Sequence, residues 1–263
     1  MRWPLAYFPT THAKVCPMAQ LLAPADLIAQ VTTALDELSD QLRELALADY
    51  SKPSSLPGWN TAQLVAHLAS FAKAAVRQFD SAGQQELPPM YDGGAEGRIE
   101  AINMTALMRP ESLQALALDA LSQLRLTLPS AQQKWDAAVG YRPGAQVADL
   151  VYTTWREMLI HATDLDHMVR PAASWPAEFC AHLFRALEAR VPQSMRLVLQ
   201  PHGKPRIVLG EGEKSWVLSG TDFDLAAWLA GREMPGSIRV TAAADGAADP
   251  ELLPWPSDRL MQR

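Results

Sequence analysis

The sequence predicts an α+β protein, with an N-terminal four-helix bundle followed by a small α+β domain. Three features lead there. Apolar residues recur at helical spacing through the first two thirds of the chain, a Pro-rich break falls at residues 171–176, and short strand-like runs bounded by turn residues follow it.

The first helix is expected over residues 23–50, where Leu27, Val31, Leu35, Leu38, Leu42 and Leu45 fall on one face, Pro24 stands near its start, and the loop Ser51-Lys52-Pro53-Ser54-Ser55 closes it. Asn60 is a good N-cap for the second, with Gln63 three residues on as its capping-box partner. Its inward face carries Leu64, His67, Leu68, Phe71 and Ala75, and it ends near Gly83. A Pro/Gly-rich connection leads to a helical stretch with Ile99, Ile102 and Met104. Pro110 then opens the third long helix, with Leu113, Leu116, Leu121, Leu124 and Leu128 facing inward. The fourth is expected over residues 145–167. Four amphipathic helices with one longer crossover make a bundle. Beyond the break, a helix over 177–191 precedes strands at 195–199, 206–209 and 214–219, then a helix at 222–229 ended by Gly231, and a last strand at 237–241. The expected division is an unstructured extension at 1–18, the bundle at 19–172 and the α+β domain at 173–263.

Composition narrows the function. The chain has 263 residues, 48% hydrophobic and 20% charged, with 23 basic against 29 acidic side chains. A net charge of −6 without a Lys/Arg cluster repels phosphate, so no nucleic-acid partner is expected. The acidic turn Gly210-Glu211-Gly212-Glu213 offers no phosphate cradle. No uninterrupted run of about 18 apolar residues occurs, so no membrane span is expected. Residues 1–17 lack the apolar core of a signal peptide, because Pro4, Pro9, Thr10, Thr11 and His12 interrupt it. Two cysteines, Cys16 and Cys180, form no framework and no C-x-x-C pair, which fits a reducing cytoplasm and argues against a cysteine nucleophile.

The sharpest local feature is Arg156-Glu157-Met158-Leu159-Ile160-His161. Glu157 and His161 are four apart and share one helical stripe, so a single helix can offer both to one metal ion. His67, on the apolar face of the second helix, is the candidate third ligand. The same residues also suit a hydrogen-bonded core histidine and a surface Glu/His contact. Asp164, one turn beyond His161, can accept a hydrogen bond from that ring or remain a solvated charge. Asp166 and His167 are expected to close the helix in solvent, and His12, His182 and His202 show no partner pattern.

The run Ser55-Leu56-Pro57-Gly58-Trp59-Asn60 into Leu64-Val65-Ala66-His67-Leu68, with Arg156, Glu157, His161 and Asp164 later, resembles the two signatures of the mycothiol-dependent maleylpyruvate isomerase family. The resemblance extends from about residue 20 to the C-terminus. It implies a DinB-like bundle, a sterol-carrier-like second domain, a monomer, and zinc held by His67, Glu157 and His161. The run Pro89-Met90-Tyr91-Asp92-Gly93-Gly94 to Arg98 also resembles the isomerase, and implies a catalytic role for Arg98. Trp228-Leu229-Ala230-Gly231-Arg232 matches the family's W-L-x-G-R segment and implies the same for Arg232, which equally suits a helix C-terminus.

The implied activity is cis–trans isomerisation of maleylpyruvate to fumarylpyruvate in gentisate-type aromatic breakdown, through addition and elimination of a thiolate. Mycothiol or another low-molecular-weight thiol is the expected cosubstrate, and Arg98 with Arg232 the expected clamp on the substrate's carboxylates. Two other readings remain open on sequence alone. One is a zinc-dependent thiol S-transferase acting on other electrophiles; the other is a non-catalytic protein binding an apolar ligand in its second domain. The donor set also suits iron, nickel or cobalt.

Overall fold

Pro24 has its fixed φ at the first turn of helix α1 (Pro24–Glu44), and Leu27, Val31, Leu35, Leu38 and Leu42 are buried along one face. A computed structural model describes residues 22–166, 168–242 and 249–255; the extension expected at 1–18, with His12 and Cys16, lies outside these, as does His167. Helix α1 stops six residues short of the expected end. Gln114 Nε2, from a later helix, donates to Leu42 O at 2.6 Å and takes up a carbonyl that a further helical turn would use. Leu45 is extended, and a short 3₁₀ turn at Leu47–Ser51 buries Tyr50.

Helix α2 (Thr61–Asp80) begins on the expected capping box: Asn60 Oδ1 accepts from Gln63 N at 2.9 Å, and Gln63 Oε1 accepts from Asn60 N at 3.0 Å. The expected crossover contains α3 (Gly94–Thr105), of which only Ile102 is buried; Ile99 and Met104 are exposed. Helix α4 (Pro110–Ala131) starts at Pro110 as expected. Helix α5 (Val147–Leu165) is shorter than residues 145–167 at both ends. Ala145 O accepts from Val139 N in a loop bridge, and Asp149 caps the new start at Gln146. Helices α2 and α4 pack along each other, as do α1 and α5, and α2 with α5 closes the four-helix bundle.

Helix α6 (Ala177–Ala186) also ends before the expected 191. A 3₁₀ turn at Glu188–Arg190 swings Arg190 inward, where it donates to Leu253 O and Leu229 O. Strand β1 (Met195–Pro201) pairs antiparallel with β2 (Ile207–Leu209) and parallel with β3 (Lys214–Gly220), and β4 (Arg239–Ala242) lies antiparallel to β3. The sheet order is β2-β1-β3-β4. Met195, Leu197 and Leu199 of β1 and Trp216 and Leu218 of β3 bury alternate residues. Helix α7 (Asp222–Ala230) packs on both strands and against α6. It ends at Gly231, whose φ of +66° is a left-handed cap that glycine adopts without strain. That reversal sends Arg232 back toward the bundle.

Candidate metal centre

Two adjacent helices build the site. On α2, His67 stands among Leu64, Leu68 and Phe71, all buried, so its ring points into the bundle with only 3% exposure. On α5, Glu157 and His161 lie one turn apart and face it. His67 Nε2 is 2.9 Å from Glu157 Oε2 and 3.1 Å from His161 Nε2, and His161 Nε2 is 3.1 Å from the same Glu157 oxygen. This triangle is the one His/Cys/Asp/Glu group able to hold a metal among the described residues. Ligands each about 2.0–2.2 Å from one ion lie about 3–3.5 Å from each other, so the spacing fits. The chemistry fits too. Two ring nitrogens that meet at 3.1 Å and share one carboxylate oxygen can direct their lone pairs at a single cation.

The surrounding contacts fix the rings. Asp164 Oδ2 accepts from His161 Nδ1 at 2.8 Å, leaving Nε2 to face the triangle. Asp164 is buried and receives Arg232 Nε at 2.6 Å and Nη2 at 2.9 Å. Arg232 Nη1 donates to Ala230 O at 2.8 Å, and its guanidinium lies 5.5 Å from the centre of the Trp255 ring. On the other side, Arg98 Nη2 is 3.1 Å from His67 Nδ1, with its Cζ 5.4 Å from the centre of the Tyr91 ring. Trp59, from the loop before α2, meets His67 edge-on at 5.8 Å.

These surroundings split the two imidazoles. Burial lowers the pKa of His67 to about 4, although Glu157 opposes the shift. Burial also disfavours charge on His161, but hydrogen bonds to Asp164 and Glu157 outweigh it and raise its pKa to about 9. Despite burial, the two imidazoles hold Glu157 well below the usual carboxylate range. Burial likewise acts against the Asp164 charge, and His161 and Arg232 overcome it. Metal-free protein at pH 7 therefore carries its proton on His161, while His67 is already neutral. Binding of a metal ion at these three donors would displace about one proton. Its measured heat is expected to vary with the ionisation enthalpy of the buffer, and affinity to weaken as pH falls below 9. A binding heat identical in phosphate and Tris would contradict this.

The structure brings His67, Glu157 and His161 together as one cluster and sets Arg98 beside it. Arg232 stands one residue further out and touches the cluster only through Asp164. Its guanidinium donates to Asp164 through Nε and Nη2 and to Ala230 O through Nη1, which engages three of its five N–H groups. Asp166 stands at the end of α5, and its Oδ1 accepts from Met168 N and Val169 N. His202 is exposed in its turn. Cys180 is buried, and burial pushes its thiol up to about 12, far from a thiolate. Sequence reasoning missed His182. This buried ring stacks on Tyr152 at 4.7 Å and lies 2.8 Å from Arg156 Nη1 through Nε2. Its position three residues from Phe179 on the apolar face of α6 was the available signal.

Comparison with known proteins agrees with this architecture. Two solved structures, of the mycothiol-dependent maleylpyruvate isomerase and of a point mutant of it, each superpose with a TM-score of 0.75 at 24% identity. In each case the match covers 87% of this chain and 96% of the other. That likeness shows the fold. No curated protein matches the sequence. No helix among the described residues is long and apolar enough to cross a membrane. The family described as the mycothiol maleylpyruvate isomerase N-terminal domain matches residues 31–166, which hold all three donors and more than half of the chain. The chain belongs to that family.

Proposed function

We propose that this protein is a metal- and thiol-dependent cis–trans isomerase converting maleylpyruvate to fumarylpyruvate, with zinc as the metal. Mycothiol, or another low-molecular-weight thiol, is the cosubstrate, and the pathway is gentisate-type aromatic breakdown in the cytoplasm. One observation carries the reading: three donors converge on one point with a guanidinium immediately beside them. Two imidazoles and one carboxylate leave a coordination position for an incoming ligand, as in catalytic zinc sites. Family membership and the names of the two similar structures support the choice of substrate and thiol.

Zinc held by His67, Glu157 and His161 supplies positive charge that lowers the pKa of a thiol brought to it. The thiolate sulfur forms a bond to one alkene carbon, and the π electrons move to the conjugated carbonyl as an enolate. The former double bond then turns. The enolate electrons re-form it in the trans arrangement as the C–S bond breaks, and nothing is oxidised or reduced. Arg98, whose guanidinium lies beside the His67 ring, would donate to a substrate carboxylate. There it also offsets enolate charge. Arg232 acts at one remove, holding Asp164 and through it the His161 ring. In this reading residues 19–172 carry the metal and 173–263 supply that support.

Zinc-loaded protein is expected to convert maleylpyruvate only when a thiol is present, with one thiol of a panel far ahead of the rest, followed by absorbance. Zinc-loaded protein that converts nothing with any thiol overturns the isomerase reading.

A further inference from the structure

A second polar chain runs along α5, one helical turn before the metal triangle. Thr153, Glu157 and His161 are spaced by four and share a stripe. Arg156 Nη2 donates to Thr153 Oγ1 at 2.8 Å, which folds its guanidinium back over the turn that precedes Glu157. Tyr141 Oη lies 3.5 Å from that same oxygen, and Arg142 Nε donates to Tyr141 Oη at 2.8 Å. Two guanidinium groups and two hydroxyls thus join in one run, and all four residues are partly exposed to solvent.

The charges in this run are unequal. Arg142 is paired with Asp149 at 3.0 Å. Arg156 has no ion pair among the described residues. Its partners are the Thr153 hydroxyl and His182 Nε2 at 2.8 Å, and a ring nitrogen that accepts from a guanidinium is neutral. Glu157, the nearest carboxylate along the stripe, is engaged by the two imidazoles. A half-buried guanidinium whose two hydrogen-bond partners are uncharged suits an incoming carboxylate, which its planar fork meets with two bonds.

We propose that Arg156, with Arg142, Tyr141 and Thr153, forms an anion subsite that seats a carboxylate of a small dicarboxylate ligand. The remainder of that ligand extends along the α5 stripe to the metal triangle. Calling the ligand a dicarboxylate rests on the isomerase reading; the subsite rests on the contacts above. It lies along α5 beside Glu157, whereas Arg98 meets the triangle at His67 Nδ1.

Succinate tests this without turnover, because it has no double bond to isomerise and needs no thiol. Zinc-loaded protein titrated with succinate in a calorimeter is expected to bind it, and Arg156→Gln to weaken binding about tenfold or more. Arg156→Lys restores part of the affinity. Zinc content and the unfolding midpoint are measured alongside. If Arg156→Gln fails to fold, Arg142→Gln decides, since it leaves the His182 contact in place and is expected to weaken succinate in the same direction. In maleylpyruvate assays the loss falls on KM for the substrate and spares the thiol dependence. A folded, zinc-loaded Arg156→Gln protein that binds succinate like the parent overturns the proposal, as does a parent that binds none. Arginine-dependent succinate binding in a protein with no isomerase activity keeps the subsite and removes the reaction.

Discussion

Replacing His161 with alanine is expected to empty the metal site while leaving the bundle folded. The substitution removes one of the three converging donors and the ring that Asp164 orients. Changing only the outer partner of a ligand typically costs about 10–100-fold in metal affinity, and loss of the ligand itself exceeds that. The fold is expected to survive for two reasons. Alanine is the best helix former at a mid-helix position, and Arg232 still neutralises the buried Asp164. Metal analysis after dialysis is expected to fall from near one equivalent in the parent to near none, with an unchanged helical spectrum. Retention of the parent's metal content would remove His161 from the ligand set.

Asp164→Asn is expected to damage both stability and metal binding, and to do so more than its small change in shape suggests. The carboxylate has no exposed surface, and it serves His161 through Oδ2 and Arg232 through both oxygens. An amide offers one accepting oxygen and no charge, so the 13%-exposed Arg232 guanidinium loses its counter-charge. Breaking such a buried pair costs about 3–5 kcal/mol. Metal affinity is expected to fall about 10–100-fold as His161 loses its orienting acceptor. Thermal unfolding of the metal-free protein measures the first effect and zinc titration the second. The sign with pH follows from the lowered pKa of Asp164. The pair contributes fully above the usual carboxylate range and is lost as acid protonates the group. The gap in stability between parent and variant should therefore close at low pH. A gap that persists undiminished in acid would contradict the charge-pair account.

Local signals carried the sequence reading far. The capping box at Asn60, Pro110 at the start of α4 and Gly231 at the end of α7 each act within three or four residues, and each stands in the structure where the sequence places it. The same holds for Glu157 and His161, whose spacing of four has only one spatial meaning on a helix. Where α1 and α6 end before the expected positions, the cause is distant in sequence. Gln114 closes α1 from 72 positions away, and Arg190 is drawn in by carbonyls on two other segments.

The outer contacts of the site show the same limit. Arg232 was legible as a motif residue, but not as the partner of Asp164, from which it is separated by 68 positions. His182 was legible as a residue on an apolar face, but its partner Arg156 was not, because it lies on another helix. Periodicity reports which face a side chain occupies; it does not report which charge meets it there.

The central claim is that the His67–Glu157–His161 triangle holds the metal on which thiol-dependent isomerisation depends. The most direct test follows maleylpyruvate conversion, in the presence of the best thiol, on protein stripped of metal by a chelator and then given one equivalent of zinc. The account predicts loss of conversion on stripping and its return with zinc in the parent, with no return in His161→Ala. Undiminished conversion by protein verified as metal-free would contradict it.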